Sequence, residues 1–307
     1  GGAQTVLRSS SGNVIFACSR IQPFSDATTS NGNMSVSIGV VANLATVTAS
    51  ASSLTFGGYG QKSGSWGSTS SPAINKNNTY FGATTGIVNV STGSCTTGTW
   101  LGGTSNDWNT ASNWCGGVPT SATDVVIPSG TVNQPTINAL ATCRNVTINS
   151  GAILTISSTN SLTVSGGWTN SGTFTANSST VIFSNIAQVG GTGPFNNLTL
   201  SGSGSKTTAG VTVNGTLSME GTATASAAPT YGTNATLQYN TATSRTAGVE
   251  WINTFASTGV IILANPGIIT LIDAKVYRAS ATLPINNGTS RNNTSNHYPV
   301  QLAGVLI

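Results

Sequence analysis

The chain has 307 residues, of which only 5% are charged, and its formal net charge is +4 at pH 7. Soluble proteins usually carry about 25% charged residues, so polarity here comes from Ser, Thr, Asn and Gly. No run of about 18 apolar residues exists to span a bilayer. The lysines and arginines stand singly, which excludes the basic stripe of a nucleic-acid-binding protein. Low charge repulsion favours self-association.

Residues 1–97 contain short segments in which polar and apolar side chains alternate, separated by Gly, Ser and Asn. The clearest segments are Ser35–Ile38, Ala45–Thr48, Ser53–Phe56 and Gly86–Val90. Alternation with a period of two, interrupted by turn residues, is typical of antiparallel strands. We therefore predict a β-sandwich-like module here. Cys18 and Cys95 lie at its two ends, where a disulfide between them would close it.

Residues 98–142 are rich in tryptophan: Trp100, Trp108 and Trp114 fall within 15 positions. Each indole buries a large apolar area and needs a partner for its N–H group. A solenoid needs a cover for its terminal coil, so we interpret this segment as a cap. The alternative is a glycan-binding platform. A bond between Cys115 and Cys143 would tie the cap to the following repeat and close a loop of roughly thirty residues.

Residues 143–281 repeat one short phrase, in which two apolar residues flank an outward residue and a turn follows. The phrase occurs at Val146–Ile148, Leu154–Ile156, Leu162–Val164, Val181–Phe183, Leu198–Leu200 and Val211–Val213. Each phrase predicts a short strand, and its repetition at uneven spacing predicts an irregular β-solenoid resembling a parallel β-helix. No segment shows an apolar period of 3.6 residues over three turns, so we expect an all-β fold with almost no helix.

Residues 282–307 form a polar linker followed by an apolar C-terminal strand. The strand is carried by Val300, Leu302, Val305, Leu306 and Ile307. An apolar terminus is unusual because chain ends are usually frayed and polar. It either completes a sheet of its own chain or adds as an assembly strand to a neighbouring subunit.

Several Asn-x-Ser/Thr sequons are candidate glycosylation sites. We single out Asn33, Asn77, Asn89 and Asn292. A chain so rich in Asn, Ser and Thr also generates sequons by chance, and a sequon is only a hypothesis about a surface loop.

Two stretches, GTWLGGTSNDWNTASNWCGGVPTSATDVVIPSG and PTINALATCRNVTINSGAILTI, resemble repeat-bearing secreted surface proteins of Bacteroidota. Weaker likeness extends over roughly residues 55–275. The resemblance implies an extracellular, non-enzymatic adhesin or surface-layer component built from β-solenoid and immunoglobulin-like modules. It also implies a disulfide between Cys115 and Cys143. These proteins often end in a sorting domain, and nothing after Gly288 resembles one.

The sequence offers no recognisable catalytic or cofactor chemistry. Its six acidic residues show no spacing typical of a catalytic pair, and its one histidine, His297, stands alone in the polar tail. The four cysteines lack zinc-site spacing, and no phosphate-binding loop is present. We therefore expect no enzyme, no cofactor and no metal.

Three hypotheses of function remain. The first is a secreted structural subunit that polymerises head to tail with itself into a pilus-like filament or sheath on the cell surface, since a heterologous contact that does not close makes a fibre. The second is an adhesin that binds surface glycans. The third is an ice- or surface-binding solenoid with a threonine face made of Thr147, Thr155, Thr163 and Thr199, although outward threonine is also simply favoured in strands.

Overall fold

The computed structural model describes residues 32–185 and 193–252, and outside them several short strands. The fold is all-β, and a solenoid of about 11 turns makes up most of it. In the described residues the only helical segment is the 3-10 turn Ala111–Asn113. The predicted all-β class and the predicted scarcity of helix are both confirmed.

A seven-stranded parallel sheet, here called the long sheet, runs along one side of the solenoid. Its strands, in order, are Ala141–Cys143, Ser161–Val164, Thr180–Phe183, Asn197–Leu200, Thr216–Glu220, Thr236–Asn240 and Gly259–Ile262. Opposed residues in neighbouring strands are separated by one coil. That coil varies from 17 residues, between Val181 and Leu198, to 23, between Leu237 and Val260. The uneven spacing of the repeated phrase therefore reflects coils of different length.

Two shorter parallel sheets complete the first coils. One contains Val125–Ile127, Val146–Ile148 and Trp168–Asn170, and the other contains Thr136–Ile137, Ile153–Ile156 and Thr173–Thr175. Later coils pair Ser205–Lys206 with Thr224–Ala225, Thr212–Val213 with Thr230–Tyr231, and Thr254–Phe255 with Val276–Tyr277. Arg245–Thr246, Ile269–Leu271 and Gln301–Leu302 form one further sheet. Each of the first coils thus contributes one strand to each of three sides.

The side chains that point inward from the three sides form one continuous core. In the long sheet Leu162, Leu198 and Leu237 are all fully buried, and outward residues alternate with them. Burial of a leucine side chain contributes about 1.5–3 kcal/mol of transfer free energy. The alternation that was read from the sequence therefore sets which face of each strand enters the core.

Asparagine–glycine pairs connect successive coils at two corners, one at each end of the long-sheet strands. Asn145 Oδ1 accepts a hydrogen bond from the Gly167 N–H at 2.5 Å, and Asn197 Oδ1 accepts one from the Thr216 N–H at 2.9 Å. A Cβ atom at Gly166 would lie 2.2 Å from Asn145 Oδ1, and one at Gly215 would lie 2.5 Å from Asn197 Oδ1. These glycines are required because the asparagine of the previous coil occupies the space of a side chain.

The N-terminal region departs from the predicted antiparallel sandwich. Val14–Phe16, Met34–Val36 and Leu54–Phe56 pair in parallel, with Val14 opposite Met34 and Met34 opposite Leu54. Ile87–Val90 also pairs in parallel with Thr48–Ala51. The antiparallel prediction is wrong for these pairs because alternation fixes only which side chains are buried, and it does not fix the direction of the partner strand.

The remaining N-terminal strands complete three small sheets. The first sheet also contains Leu7–Arg8 and Tyr59–Gly60, which pair antiparallel with their neighbours. Gly64–Gly67 lies antiparallel to Ile87–Val90 and parallel to Asn75–Lys76, while Gln22–Pro23 pairs with Ala42–Asn43. A second core fills this region, built around Phe56, Trp66, Tyr80 and Phe81.

The tryptophan segment lies between the two cores. Thr99 and Asp107 make parallel bridges to Val126 and Thr136, so the segment forms the coil that precedes Val125–Ile127. On its other side, Lys62 donates to the Ser112 carbonyl at 3.0 Å. The segment is therefore a joint between two stacked regions, and it is not the cover of a free end.

Candidate functional site

The tryptophan cluster is a packed core element. Trp100 and Trp108 are fully buried, and Trp114 is 2% exposed. The ring of Trp114 lies edge-to-face against both others, with centroids 4.8 Å and 4.6 Å apart. Trp100 Nε1 donates to the Asn133 carbonyl, and Trp114 Nε1 donates to the Trp108 carbonyl, each at 2.6 Å. The packed interpretation holds, and the glycan-platform alternative is wrong because no ring face is open.

The disulfide joins Cys95 to Cys115, with Cα atoms 5.9 Å apart. Both predicted pairings, Cys115 with Cys143 and Cys18 with Cys95, are therefore wrong. After Trp114 the chain returns alongside Thr99, whose carbonyl accepts from the Cys115 N–H at 3.0 Å, and this return brings Cys115 back to Cys95.

Cys143 takes no part in a disulfide because its side chain points into the core from the first strand of the long sheet. Burial, with a smaller contribution from the Asp124 carboxylate, raises the pKa of its thiol far above the usual range. A thiol in this state is unreactive. Cys18 lies outside the described residues.

The candidate sequons differ in accessibility. Asn33 and Asn89 are exposed, whereas Asn77 is buried, and its Oδ1 accepts from the N–H groups of Thr79 and Tyr80. Asn77 is therefore not a glycosylation site in the folded chain. Asn292 lies outside the described residues.

The four threonines of the proposed ice-binding face do not share a face. Thr147 lies in the sheet of Val146–Ile148, Thr155 lies in the sheet of Ile153–Ile156, and only Thr163 and Thr199 belong to the long sheet. Even these two are separated by Ile182 on the strand between them. The predicted threonine face is therefore wrong.

Within the apolar tail, the strand Gln301–Leu302 is described. It pairs in parallel with Ile269–Leu271 of the same chain, Leu302 opposite Leu271. For Leu302 the structure thus gives the intramolecular alternative, and the assembly-strand prediction is wrong there. The other predicted assembly residues, Val300, Val305, Leu306 and Ile307, lie outside the described residues.

A buried polar cluster near residue 250 was missed by the sequence analysis. Glu250 is fully buried, and its Oε1 accepts from the Gly248 N–H at 2.9 Å and from the Tyr239 hydroxyl at 3.1 Å. Arg245 Nη2 lies 3.7 Å from the same oxygen, and the guanidinium lies over the Tyr239 ring, 5.6 Å from its centroid. Tyr231 donates to the Glu250 carbonyl at 2.9 Å.

The cluster leaves three buried polar atoms without a hydrogen-bond partner: Arg245 Nε, Arg245 Nη1 and Glu250 Oε2. Burial, with a further contribution from the Glu250 charge, raises the pKa values of Tyr231 and Tyr239 well above the usual range. Both hydroxyls therefore remain protonated donors. Since Glu250 is sealed from solvent, the cluster has no substrate path, and its chemistry is that of a structural ion pair.

A cleft of about 260 Å³, open solvent included, lies where the tryptophan joint meets the N-terminal region. Lys62, Trp66 and Ser112 line it. Burial lowers the Lys62 pKa, and the amine already donates to the Ser112 carbonyl. This contact connects the two regions, and no carboxylate lines the cleft.

The outward residues of the first six strands of the long sheet form three columns across these strands, here called the outer face. The central column consists of Thr142, Thr163, Ile182, Thr199, Ser218 and Gln238. The first consists of Ser161, Thr180, Asn197, Thr216 and Thr236, and the third of Arg144, Ser165, Ser184, Ser201, Glu220 and Asn240. Among these positions only Arg144 and Glu220 are charged.

In the described part of the chain, no group of three or more His, Cys, Asp or Glu residues is placed to hold a metal ion. Among the same residues, no helix has the length and hydropathy needed to cross a bilayer.

A family model named "Domain of unknown function (DUF8693)" matches residues 99–298. The match covers nearly two thirds of the chain and begins at the residue where the tryptophan joint makes its first bridge to the solenoid. The chain belongs to this family. The DUF8693 segment thus includes the tryptophan joint, the buried polar cluster and six complete strands of the outer face. No curated protein and no solved structure matches the chain.

Proposed function

We propose that this chain is an extracellular structural protein that associates with copies of itself at the cell surface. The observation that carries the proposal is the composition of the outer face. Its three columns present mostly hydroxyl and amide side chains, with one cation and one anion. Charged side chains on edges and faces are the usual means by which β-proteins prevent association. This chain uses almost none, and mutual repulsion is correspondingly weak.

Two further observations support the location and the role. The Cys95–Cys115 disulfide suits an oxidising compartment. The resemblance of residues 98–156 to secreted surface proteins of Bacteroidota points to the same place. Parallel coils also form a stiff rod, because each coil contacts only its neighbours and the core continues through them.

The two alternative hypotheses receive less support from the side chains. All six tryptophans are buried, Trp251 being the most exposed at 5%, so a glycan-binding adhesin would have to use another kind of surface. The ice-binding hypothesis lacks the single threonine face on which it was based.

Negative-stain electron microscopy of the purified, oxidised full chain tests the proposal, together with binding to a glycan array. We expect ordered assemblies that form as concentration increases and dissolve on dilution, without binding to a particular glycan. Particles that remain single rods at every concentration, or tight binding to one glycan with no assembly, would contradict it. Amorphous aggregates that do not dissolve would also contradict it, because they indicate unfolding and not specific association.

A further inference from the structure

The outer face has an internal symmetry that is not apparent along the sequence. The strand Thr180–Phe183 is the third of the five strands from Ala141–Cys143 to Thr216–Glu220. Arg144 follows the first of these strands, and Glu220 ends the fifth, both in the third column. The cation and the anion therefore stand two strands to either side of a common centre.

The centre itself carries an apolar residue. Ile182 lies in the central column of the middle strand, and it is only partly buried by its own chain. Between the two charges the third column contains only Ser165, Ser184 and Ser201. Three small side chains in a row allow a second surface to approach closely.

We propose that the outer face binds the outer face of a second copy of this chain, with a two-fold axis along the strand Thr180–Phe183. The proposal rests on the self-association put forward above, and it names the surface. Such an axis reverses strand order in the partner and keeps the columns aligned. It places Ile182 against the partner's Ile182, Arg144 against the partner's Glu220 and Glu220 against the partner's Arg144.

The pairing is self-complementary in charge. Isologous contacts of this kind, in which each surface meets its own copy, are the commonest in soluble oligomers. The two charge pairs fix direction and register more than they add affinity, because each side chain is partly exposed and Arg144 also binds Asp124. The central isoleucine pair supplies the apolar contact that a complementary interface needs at its middle.

The size of the face predicts a weak complex. Five strands about 4.8 Å apart and five residues at about 3.3 Å each give a surface of roughly 24 Å by 17 Å. About 400 Å² on each partner is thereby covered, or about 800 Å² in total, which is at the low end for protein interfaces. We therefore expect a dimer that dissociates on dilution and whose effect is strengthened by repetition in a larger assembly.

Sedimentation velocity of the full chain over a range of concentrations tests the pairing. We expect Ile182→Glu to raise the dimer dissociation constant at least tenfold. The control Ile153→Glu places the same charge on another side of the solenoid, at a residue that is 41% exposed, and it should leave the constant unchanged. Both variants keep every buried side chain, so circular dichroism and thermal unfolding should match wild type.

Charge reversal tests the orientation. Arg144→Glu and Glu220→Arg should each weaken the dimer, and the double variant should restore it, because the double variant recreates both pairs with opposite sign. Asp124→Asn controls for the loss of the intrachain partner of Arg144. If Ile182→Glu associates as strongly as the wild-type chain, the proposed surface is wrong, although self-association itself remains supported. A wild-type chain that stays monomeric throughout would overturn both.

Discussion

The described residues contain two arginine–carboxylate pairs, and they occupy opposite environments. Arg144 and Asp124 meet at the surface, with side chains 53% and 46% exposed, in a contact made by two guanidinium nitrogens. Arg245 and Glu250 are 8% and 0% exposed and lie 3.7 Å apart. The better geometry belongs to the exposed pair, yet the buried pair should matter far more to folding, because its charges cannot be compensated by water.

The largest effect should come from Glu250→Gln, which keeps the shape of the side chain and removes its charge. Arg245 would then be a buried cation without a counter-ion, so we expect the free energy of unfolding to fall by about 3–5 kcal/mol. Urea denaturation followed by circular dichroism measures the change. Asp124→Asn is the matched control, and it should leave the transition close to that of wild type.

A second variant separates charge from packing at this site. If Arg245→Met is combined with Glu250→Leu, both charges and their desolvation costs disappear together, and much of the lost stability should return. If the urea unfolding transition of Glu250→Gln coincides with that of Asp124→Asn, the two ion pairs do not differ in their contribution to stability, and the comparison is contradicted.

Gly248→Ala should produce the next largest effect. A Cβ atom at position 248 would lie 2.7 Å from Glu250 Oε2, so the carboxylate or the turn must move, at about 1–3 kcal/mol, as is typical of overpacking. Gly103→Ala is the control because the nearest atom to its added Cβ is the Lys76 carbonyl oxygen at 4.0 Å. Equal thermal shifts in the two variants would show that Glu250 is not held tightly.

Alkaline titration tests how well the buried pair is sealed. Tyr231 and Tyr239 have pKa values raised above the ordinary tyrosine value of 10.0, first by burial and then by the Glu250 charge. The folded chain holds these protons more tightly than the unfolded chain, so their contribution to stability is complete below pH 10.0 and declines as the pH rises towards the raised values. Absorbance at the tyrosinate band should show these two hydroxyls ionising only as the chain unfolds, and early ionisation of all tyrosines would contradict this.

The smallest effect should be the acid response of the exposed pair. The hydrogen bond from Arg144 lowers the Asp124 pKa below its ordinary 3.8. The stabilisation of the folded chain by this ion pair is therefore present above the ordinary pKa of Asp124, and it is lost as the pH falls through the lowered pKa. Because both groups are solvated, the difference between wild type and Asp124→Asn in an acid titration should be slight and should vanish in high salt. A large difference that survives salt would mean that this pair is shielded.

The solenoid could be predicted from the sequence because the signal was local. Each phrase such as Leu162–Val164 states by itself which side chains enter the core, and the structure buries Leu162 and Val164 accordingly. The direction of pairing is not local, since Met34–Val36 alternates in the same way whether its partner is parallel or antiparallel. The predicted antiparallel pairing is only partly correct for that reason.

The candidate sites were harder to predict because they depend on which residues the coils bring together. Cys115 approaches Cys95 only because the chain doubles back after Trp114, and spacing alone pointed towards Cys143. The cluster of Arg245 and Glu250 offered one usable signal: two opposite charges five residues apart in a chain with only six acidic residues. The symmetry of Arg144 and Glu220 about Ile182 required the register of five strands, which uneven coil lengths conceal.

Cysteine cross-linking at the proposed two-fold axis tests the central claim most directly. Ser184 lies in the third column of the middle strand, so the partner's Ser184 should lie directly opposite it, and Ser184→Cys should form a covalent dimer under mild oxidation. Ser165→Cys, one strand away in the same column, should not, because its copies would be separated by two strand spacings, about 10 Å, too far for a disulfide. The buried Cys143 should not contribute background. Equal cross-linking of both variants, or none in Ser184→Cys at concentrations where wild type associates, would contradict the account.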